Sequence, residues 1–153
     1  IHDNVIINTG GDGMFIEDRT TGAGFKVINN TIINPGTNGI RLYSDEVLMN
    51  TVLNNIIVNP GSYSTYTYPR SGNDAYVYLL NKTMKVQMSN NHFTRDINSM
   101  KFVSASGFNF ALTSVSPAVN KGSSISVYGI RLDHALKPRL SGAAYDIGAY
   151  EYQ

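Results

Sequence analysis

Phe15, Glu17, Arg41 and Tyr43 are the residues whose types and spacing could do chemistry together. They sit in Met14-Phe15-Ile16-Glu17 and in Ile40-Arg41-Leu42-Tyr43, each run alternating apolar with polar or aromatic. In an extended strand the period of two sends Met14, Ile16, Ile40 and Leu42 to one side and the other four to the opposite side. Aromatic rings beside charged groups on an exposed face suit a sugar. The apolar faces of the sugar ring stack on Phe or Tyr, and its hydroxyls bond to Arg and carboxylate. Tyrosine combines apolar area with a polar tip and little rotamer entropy. Tyr63, Tyr66 and Tyr68 extend the platform if their stretch folds beside it. Substrate contact is therefore expected at Phe15, Tyr43, Tyr66 and Tyr68. The plain alternative is a solvated face with a Glu17–Arg41 cross-strand pair worth about 0–1 kcal/mol.

Asp18, Asp45 and Glu46 follow just past the edge of that face. With Glu17 they could supply hard oxygen ligands to Ca²⁺ or the acid pair of a glycosidase. No Asp-x-Asp-x-Asp loop fixes their spacing, and no cofactor other than Ca²⁺ is expected. His2, His92 and His134 are scattered, and the chain has no cysteine. There is no zinc motif, phosphate-cradling glycine loop or nucleophile elbow. A formal net charge of +1 gives no strong field for nucleic acid or an anionic membrane. No apolar run is long enough to span a bilayer.

The elements that must position these residues repeat. Asp3-Asn4-Val5-Ile6-Ile7-Asn8-Thr9-Gly10 returns as Asn29-Asn30-Thr31-Ile32-Ile33-Asn34-Pro35-Gly36, and again as Asn54-Asn55-Ile56-Ile57-Val58-Asn59-Pro60-Gly61. The steps are 26 and 25 residues (30 − 4 and 55 − 30), and a fainter copy, Asn90-Asn91-His92-Phe93-Thr94, follows 36 later (91 − 55). Such a period marks a repeat architecture. The apolar runs, Phe25–Asn29, Thr31–Ile33 and Gly39–Ser44 in the second copy, are too short for helices and rich in Val and Ile, which fit a pleated surface. With 42% hydrophobic and only 15% charged residues, the composition suits many short strands joined by turns.

Repeats in register predict parallel strands stacked about 4.8 Å apart. Ile6, Ile32, Ile57 and Phe93 form one inward column, and Val27, Val52 and Met88 another. Asn34-Pro35-Gly36 and Asn59-Pro60-Gly61 read as type II turns, with glycine taking the positive φ. Asn4, Asn30, Asn55 and Asn91 fall on one corner. There they form either a ladder of amide hydrogen bonds, each worth about 1 kcal/mol net, or a series of turn residues that tolerate left-handed φ.

Asn-Asn-Thr-Ile-Ile-Asn and Gly-Ile-Arg-Leu-Tyr-Ser resemble the repeats of right-handed parallel β-helix proteins, the pectate-lyase-like fold. The resemblance covers residues 1–61 and, more loosely, 84–95. It implies a fold and not one activity, because the family includes lyases, hydrolases, epimerases, adhesins and tailspikes. Lyases of this fold tend to use Arg or Lys as base, often with Ca²⁺ neutralising a uronate. The resemblance thus implies Arg41 and Glu17 as catalytic candidates, with Asp18, Asp45 and Glu46 as candidate metal ligands.

Further along, Ser116-Pro117-Ala118-Val119-Asn120-Lys121-Gly122 precedes Pro138-Arg139 and the ending Asp146-Ile147-Gly148-Ala149-Tyr150-Glu151-Tyr152-Gln153. This pairing resembles the C-terminal end of bacterial secreted β-helix proteins, often found on cell surfaces and in polysaccharide-degrading systems. Leu136 stands where the resembled Asp-x-x-Gly-x-Pro-Arg stretch has glycine. Asp146 and Arg139 read as turn anchors or a structural pair.

The expected fold is all-β, a right-handed parallel β-helix solenoid consisting of C-terminal rungs plus a cap. Residues 1–100 are the rungs, with an insertion near 62–83, and 101–153 a capping segment of the same domain that covers the open apolar end. The expected function is that of the C-terminal part of a secreted or surface protein acting on polysaccharide, of lyase or glycoside hydrolase type. The alternatives are a non-catalytic carbohydrate-binding or adhesin β-helix and a purely structural cap. Expected partners are a polysaccharide or oligosaccharide and an N-terminal remainder of the same β-helix, since the chain starts at Ile1, without Met, inside a repeat. The expected location is extracellular, cell-surface or periplasmic, in a bacterium.

Overall fold

A computed structural model describes residues 1–18, 24–44, 49–61, 72–81 and 83–153. The described chain is mostly β. Its strands before residue 95 are β1 (Val5–Ile7), β2 (Met14–Asp18), β3 (Lys26–Ile28), β4 (Thr31–Ile33), β5 (Ile40–Ser44), β6 (Asn50–Leu53), β7 (Ile56–Val58), β8 (Val77–Leu79), β9 (Val86–Ser89) and β10 (His92–Thr94). They form three parallel sheets, ordered β1-β4-β7-β10, β2-β5-β8 and β3-β6-β9. The chain therefore visits the sheets in a fixed cyclic order, one strand in each per repeat. Ile6 pairs with Ile32, Ile32 with Ile57 and Ile57 with Phe93, the column read from the repeats. Val27, Val52 and Met88 are likewise in register.

The sheets share one core. Met14, Ile40 and Leu42 from one sheet, Val27 and Val52 from another, and Ile32 and Ile57 from the third pack in a single cluster. β4 and β7 are buried on every residue. Strands covered on both faces read as unbroken apolar runs, which is why Thr31-Ile32-Ile33 and Ile56-Ile57-Val58 do not alternate.

Asparagines turn the corners in two ways at once. Asn4, Asn30, Asn55 and Asn91 form a continuous ladder, each Nδ2 donating to the next Oδ1 at 2.9 Å. The residue before each of them, Asp3, Asn29, Asn54 and Asn90, takes the left-handed backbone, with φ of 57, 53, 56 and 49°. Asn4, Asn30, Asn55 and Asn91 are thus the ladder, and the left-handed turn that was the alternative for them belongs instead to the residues before them. A second amide row joins Asn8, Asn34 and Asn59. Its members also have left-handed φ, so at the first Asn-Pro-Gly turn the positive φ belongs to Asn34 and not to Gly36. Gly36 is needed for another reason: a Cβ there would run into the backbone of Thr9 and Gly10. At the second turn Gly61 does take positive φ, 73°.

Residues 73–80 begin differently from the strand read over Ala75–Leu80. Asn73–Tyr76 form one helical turn, and the strand starts at Val77. The strand read at Ser62–Tyr68 lies outside the described residues.

The C-terminal segment was expected across the open end of the last repeat, but its contacts run along the flank of all the repeats. Its strands β11 (Phe102–Ser104) and β12 (Asn109–Leu112) form an antiparallel pair. Met100, Phe110, Leu112, Ala118 and Ile147 pack on Ile33, Ile56 and Val58, covering the outer face of the β1-β4-β7-β10 sheet. The left-handed Asp/Asn column carries the polar side of this docking. Asp3 binds Arg139, and Asn29 Nδ2 donates to the Asp146 and Gly148 carbonyls at 2.8 and 3.0 Å. Asn54 Nδ2 donates to the Ser123 carbonyl at 2.9 Å, and Asn90 Nδ2 to that of Lys121 at 2.8 Å. At the end of the stack Met88 stays 47% exposed.

Arg139 and Asp146 are turn anchors, as read. Arg139 is buried, donates to Glu151 Oε2 at 3.2 Å and to the Gly148 and Ala149 carbonyls, and meets Asp3. Asp146 accepts the backbone N–H groups of Asn120 and Tyr152, both at 2.6 Å.

Candidate functional site

The exposed face of the β2-β5-β8 sheet holds the residues singled out by alternation. Met14 and Leu42 point into the core, while Phe15 stands 48% exposed and Glu17 is also exposed. Parallel pairing sets Phe15 beside Arg41 and Arg41 beside Tyr78 in one column. Glu17 is beside Tyr43 in the next column, and Asp18 beside Ser44 at the edge. Phe15, Glu17, Arg41 and Tyr43 therefore share one face, with Asp18 at its rim. Tyr66, Tyr68, Asp45 and Glu46, together with Tyr63, lie outside the described residues.

Arg41 pairs with Asp12 and not with Glu17, the partner of the plain alternative. Its Nε lies 2.9 Å from Asp12 Oδ2, and its guanidinium carbon sits 4.2 Å above the centre of the Phe15 ring. A guanidinium over an aromatic face is attracted by about 0.5–1 kcal/mol at an exposed site, and the stack orients it. Asp12 is itself fixed. Its Oδ1 accepts from Asn38 N at 3.1 Å, Asn38 Nδ2 at 2.7 Å and Thr37 Oγ1. The carboxylate sits in the turn before β2 and grips both the next turn and the next strand. Arg41 thus has one side held by charge and one face held by a ring, while its side chain remains 35% exposed.

Two members of this site escaped the sequence reading, Asp12 and Tyr78. Asp12 is 26 residues before Asn38, the same step as the asparagine ladder, so the repeat itself carried the signal. Tyr78 is the register partner of Arg41 across the longer third repeat, where the inserted stretch hides the step.

Chemically, the face offers two aromatic rings on adjacent strands at Phe15 and Tyr43, a third at Tyr78, an oriented guanidinium and the Glu17 carboxylate. It suits a ligand with alternating apolar faces and hydroxyls. Both oxygens of Asp12 are engaged by protein groups, so it offers a cation no ready site. Among the described residues no three of His, Asp and Glu come together as metal ligands. No helix among the described residues is long and apolar enough to cross a membrane.

Compared with protein-family models, with curated proteins and with solved structures, the chain matches none.

Proposed function

We propose that the chain is part of a right-handed parallel β-helix of the pectate-lyase-like kind, outside the cell, that binds polysaccharide along the β2-β5-β8 face. The observation that carries this reading is the column Phe15–Arg41–Tyr78 with Tyr43 and Glu17 beside it, its guanidinium oriented by Phe15 and Asp12. Sheet spacing supports it. Rings on neighbouring strands are offset by about 4.8 Å, which sets a row of stacking platforms across the strands. A long glycan lying across the strands touches several of them weakly, and those contacts add.

Binding fits the described geometry better than turnover. Arg41 is engaged by Asp12 and Phe15 in the manner of a positioned contact, and the Glu17 carboxylate neighbours Tyr43, not a second acid, in the register. The test is a glycan array followed by titration of the best ligand. Phe15→Ala and Tyr43→Ala should each weaken binding about tenfold, which corresponds to 1.4 kcal/mol. Lys101→Ala, in the segment that packs on the β1-β4-β7-β10 sheet, should leave it unchanged. An array without a single bound glycan, or full affinity in both aromatic variants, rules the reading out.

A further inference from the structure

The C-terminal segment packs on the outer faces of two of the three parallel sheets. Met100, Phe110 and Leu112 lie over Ile33, Ile56 and Val58, while Ile125 and Ile130 lie over Ile28 and Leu53. The third sheet, β2-β5-β8, is the one that carries Phe15 and Arg41. Formal charge is divided between these sides. In residues 97–153 the cations Lys101, Lys121, Arg131 and Lys137 are exposed, whereas the acids Asp133, Asp146 and Glu151 are buried with Arg139. On β2, β5 and β8 the balance is reversed. Glu17 and Asp18 are acids, Arg41 is the one cation of the three strands, and Asp12 stands in the turn before them.

The charge of Arg41 is moreover already matched. An open guanidinium takes a carboxylate or sulfate through two parallel N–H bonds. Here Asp12 lies against its Nε side at 2.9 Å, and the Asp12 side chain is only 9% exposed. Asn38 N, Asn38 Nδ2 and Thr37 Oγ1 pin that carboxylate from behind. A ligand anion would have to break all these contacts to displace Asp12, and beside it would meet a pair without net charge. Hydrogen bonding is what remains to offer. Among the described residues nothing accepts from Arg41 Nη1 or Nη2, so these N–H groups can serve a hydroxyl or an amide carbonyl.

We propose that the glycan bound on the β2-β5-β8 face is uncharged. This rests on the reading of that face as a glycan site. Arg41 donates to the sugar's oxygens, Glu17 accepts from its hydroxyls, and the aromatic side chains take its ring faces. The Asp12–Arg41 pair gives direction without net charge, while Glu17 and Asp18 set a polyanion against like charge. A neutral ligand is held by short-range contacts, which salt does not screen.

A glycan array spanning neutral, uronate-containing and sulfated oligosaccharides of matched length, followed by titration calorimetry on the 153-residue chain, tests this. The best neutral oligomer should bind about tenfold or more tightly than the best acidic one. Its affinity should stay the same from about 0.05 to about 0.5 M NaCl, and Phe15→Ala should weaken it. Asp12→Asn leaves the guanidinium unmatched and should raise the ratio of acidic to neutral affinity about fivefold. Circular dichroism checks that this variant folds, and Glu17→Gln, at an exposed position, should move the ratio in the same direction. Preference for an acidic glycan that Phe15→Ala abolishes overturns the inference and leaves the glycan site standing. A ratio that neither charge variant raises overturns it as well. Binding of no oligosaccharide at all removes the site itself, and its selectivity with it.

Discussion

Leu136 shows how one side chain can be held against its own preference. Its φ is 61°, in the left-handed region where an L-residue loses about 1–2 kcal/mol, and its side chain is 76% exposed. The turn is imposed by Asp133, whose Oδ1 accepts the N–H groups of Ala135 and Lys137 at 2.8 Å each, while Oδ2 accepts from Glu151 N at 3.0 Å. The backbone thus keeps the conformation that glycine would adopt freely, at the position where the resembled stretch has glycine. Leu136→Gly should stabilise the protein by about 0.5–1 kcal/mol, since relieved strain exceeds the added chain entropy and little packing is lost. A thermal melt should show a rise of a few degrees; an unchanged or lower midpoint would mean that the strain is absorbed elsewhere. Asparagine was less legible than this turn. Repetition at Asn4, Asn30, Asn55 and Asn91 exposed the ladder, but a propensity for left-handed φ cannot say which of two adjacent asparagines will turn. Similarly, Asn-Pro-Gly suggests a glycine turn, and only the close approach of Gly10 reveals why Gly36 must lack a Cβ.

At the level of elements, the parallel pairings and their register were readable because the repeat fixes them: residues one step apart must stack. The inward and outward faces of β2 and β5 followed from alternation, and with them Phe15, Glu17, Arg41 and Tyr43. What covers the β1-β4-β7-β10 sheet was only half readable. Unbroken apolar runs at β4 and β7 signal a second covered face, but nothing local names the cover, which comes from the distant segment carrying Met100, Phe110 and Ile147. Docking of that segment depends on Gly148. Its φ is 94°, its N–H donates to the Asn54 carbonyl at 2.7 Å, and a Cβ would collide with the Ile56 side chain and the Thr31 hydroxyl. Gly148→Ala should cost about 2–4 kcal/mol, combining left-handed strain with overpacking. Hydrogen exchange should localise the loss. Amides of residues 146–152 should lose protection while β4 and β7 keep most of theirs. Uniform loss across all sheets would show that flank and repeats unfold as one unit.

For the molecule as a whole, buried ionisable groups on the two sides of the docked flank set opposing responses to acid. Burial raises the Asp146 carboxyl above its ordinary value, although the Asn120 and Tyr152 N–H groups and Arg139 pull it down. Glu151 is raised mainly by burial too, opposed by the Asp146 and Ser141 N–H groups and by Arg139. A carboxyl with a raised folded pKa binds its proton in the native state first. Its contribution to stability is therefore full below the ordinary range near about 4 and is lost as pH rises through the folded value. His92, on β10, responds the other way. Burial lowers its pKa, so the unfolded chain protonates first and stability falls as pH drops through about 6.5. In the wild-type protein the two responses therefore oppose one another as the solution is acidified. Removing the imidazole with His92→Gln should unmask the carboxyls, giving a melting temperature that climbs as the solution is acidified towards the ordinary carboxyl range near about 4. Adding Asp146→Asn and Glu151→Gln to that variant should flatten the climb, since neither side chain can then ionise. A His92→Gln protein that loses stability monotonically with acid would show instead that the Arg139 ion pairs, with Asp3 and Glu151, dominate the flank.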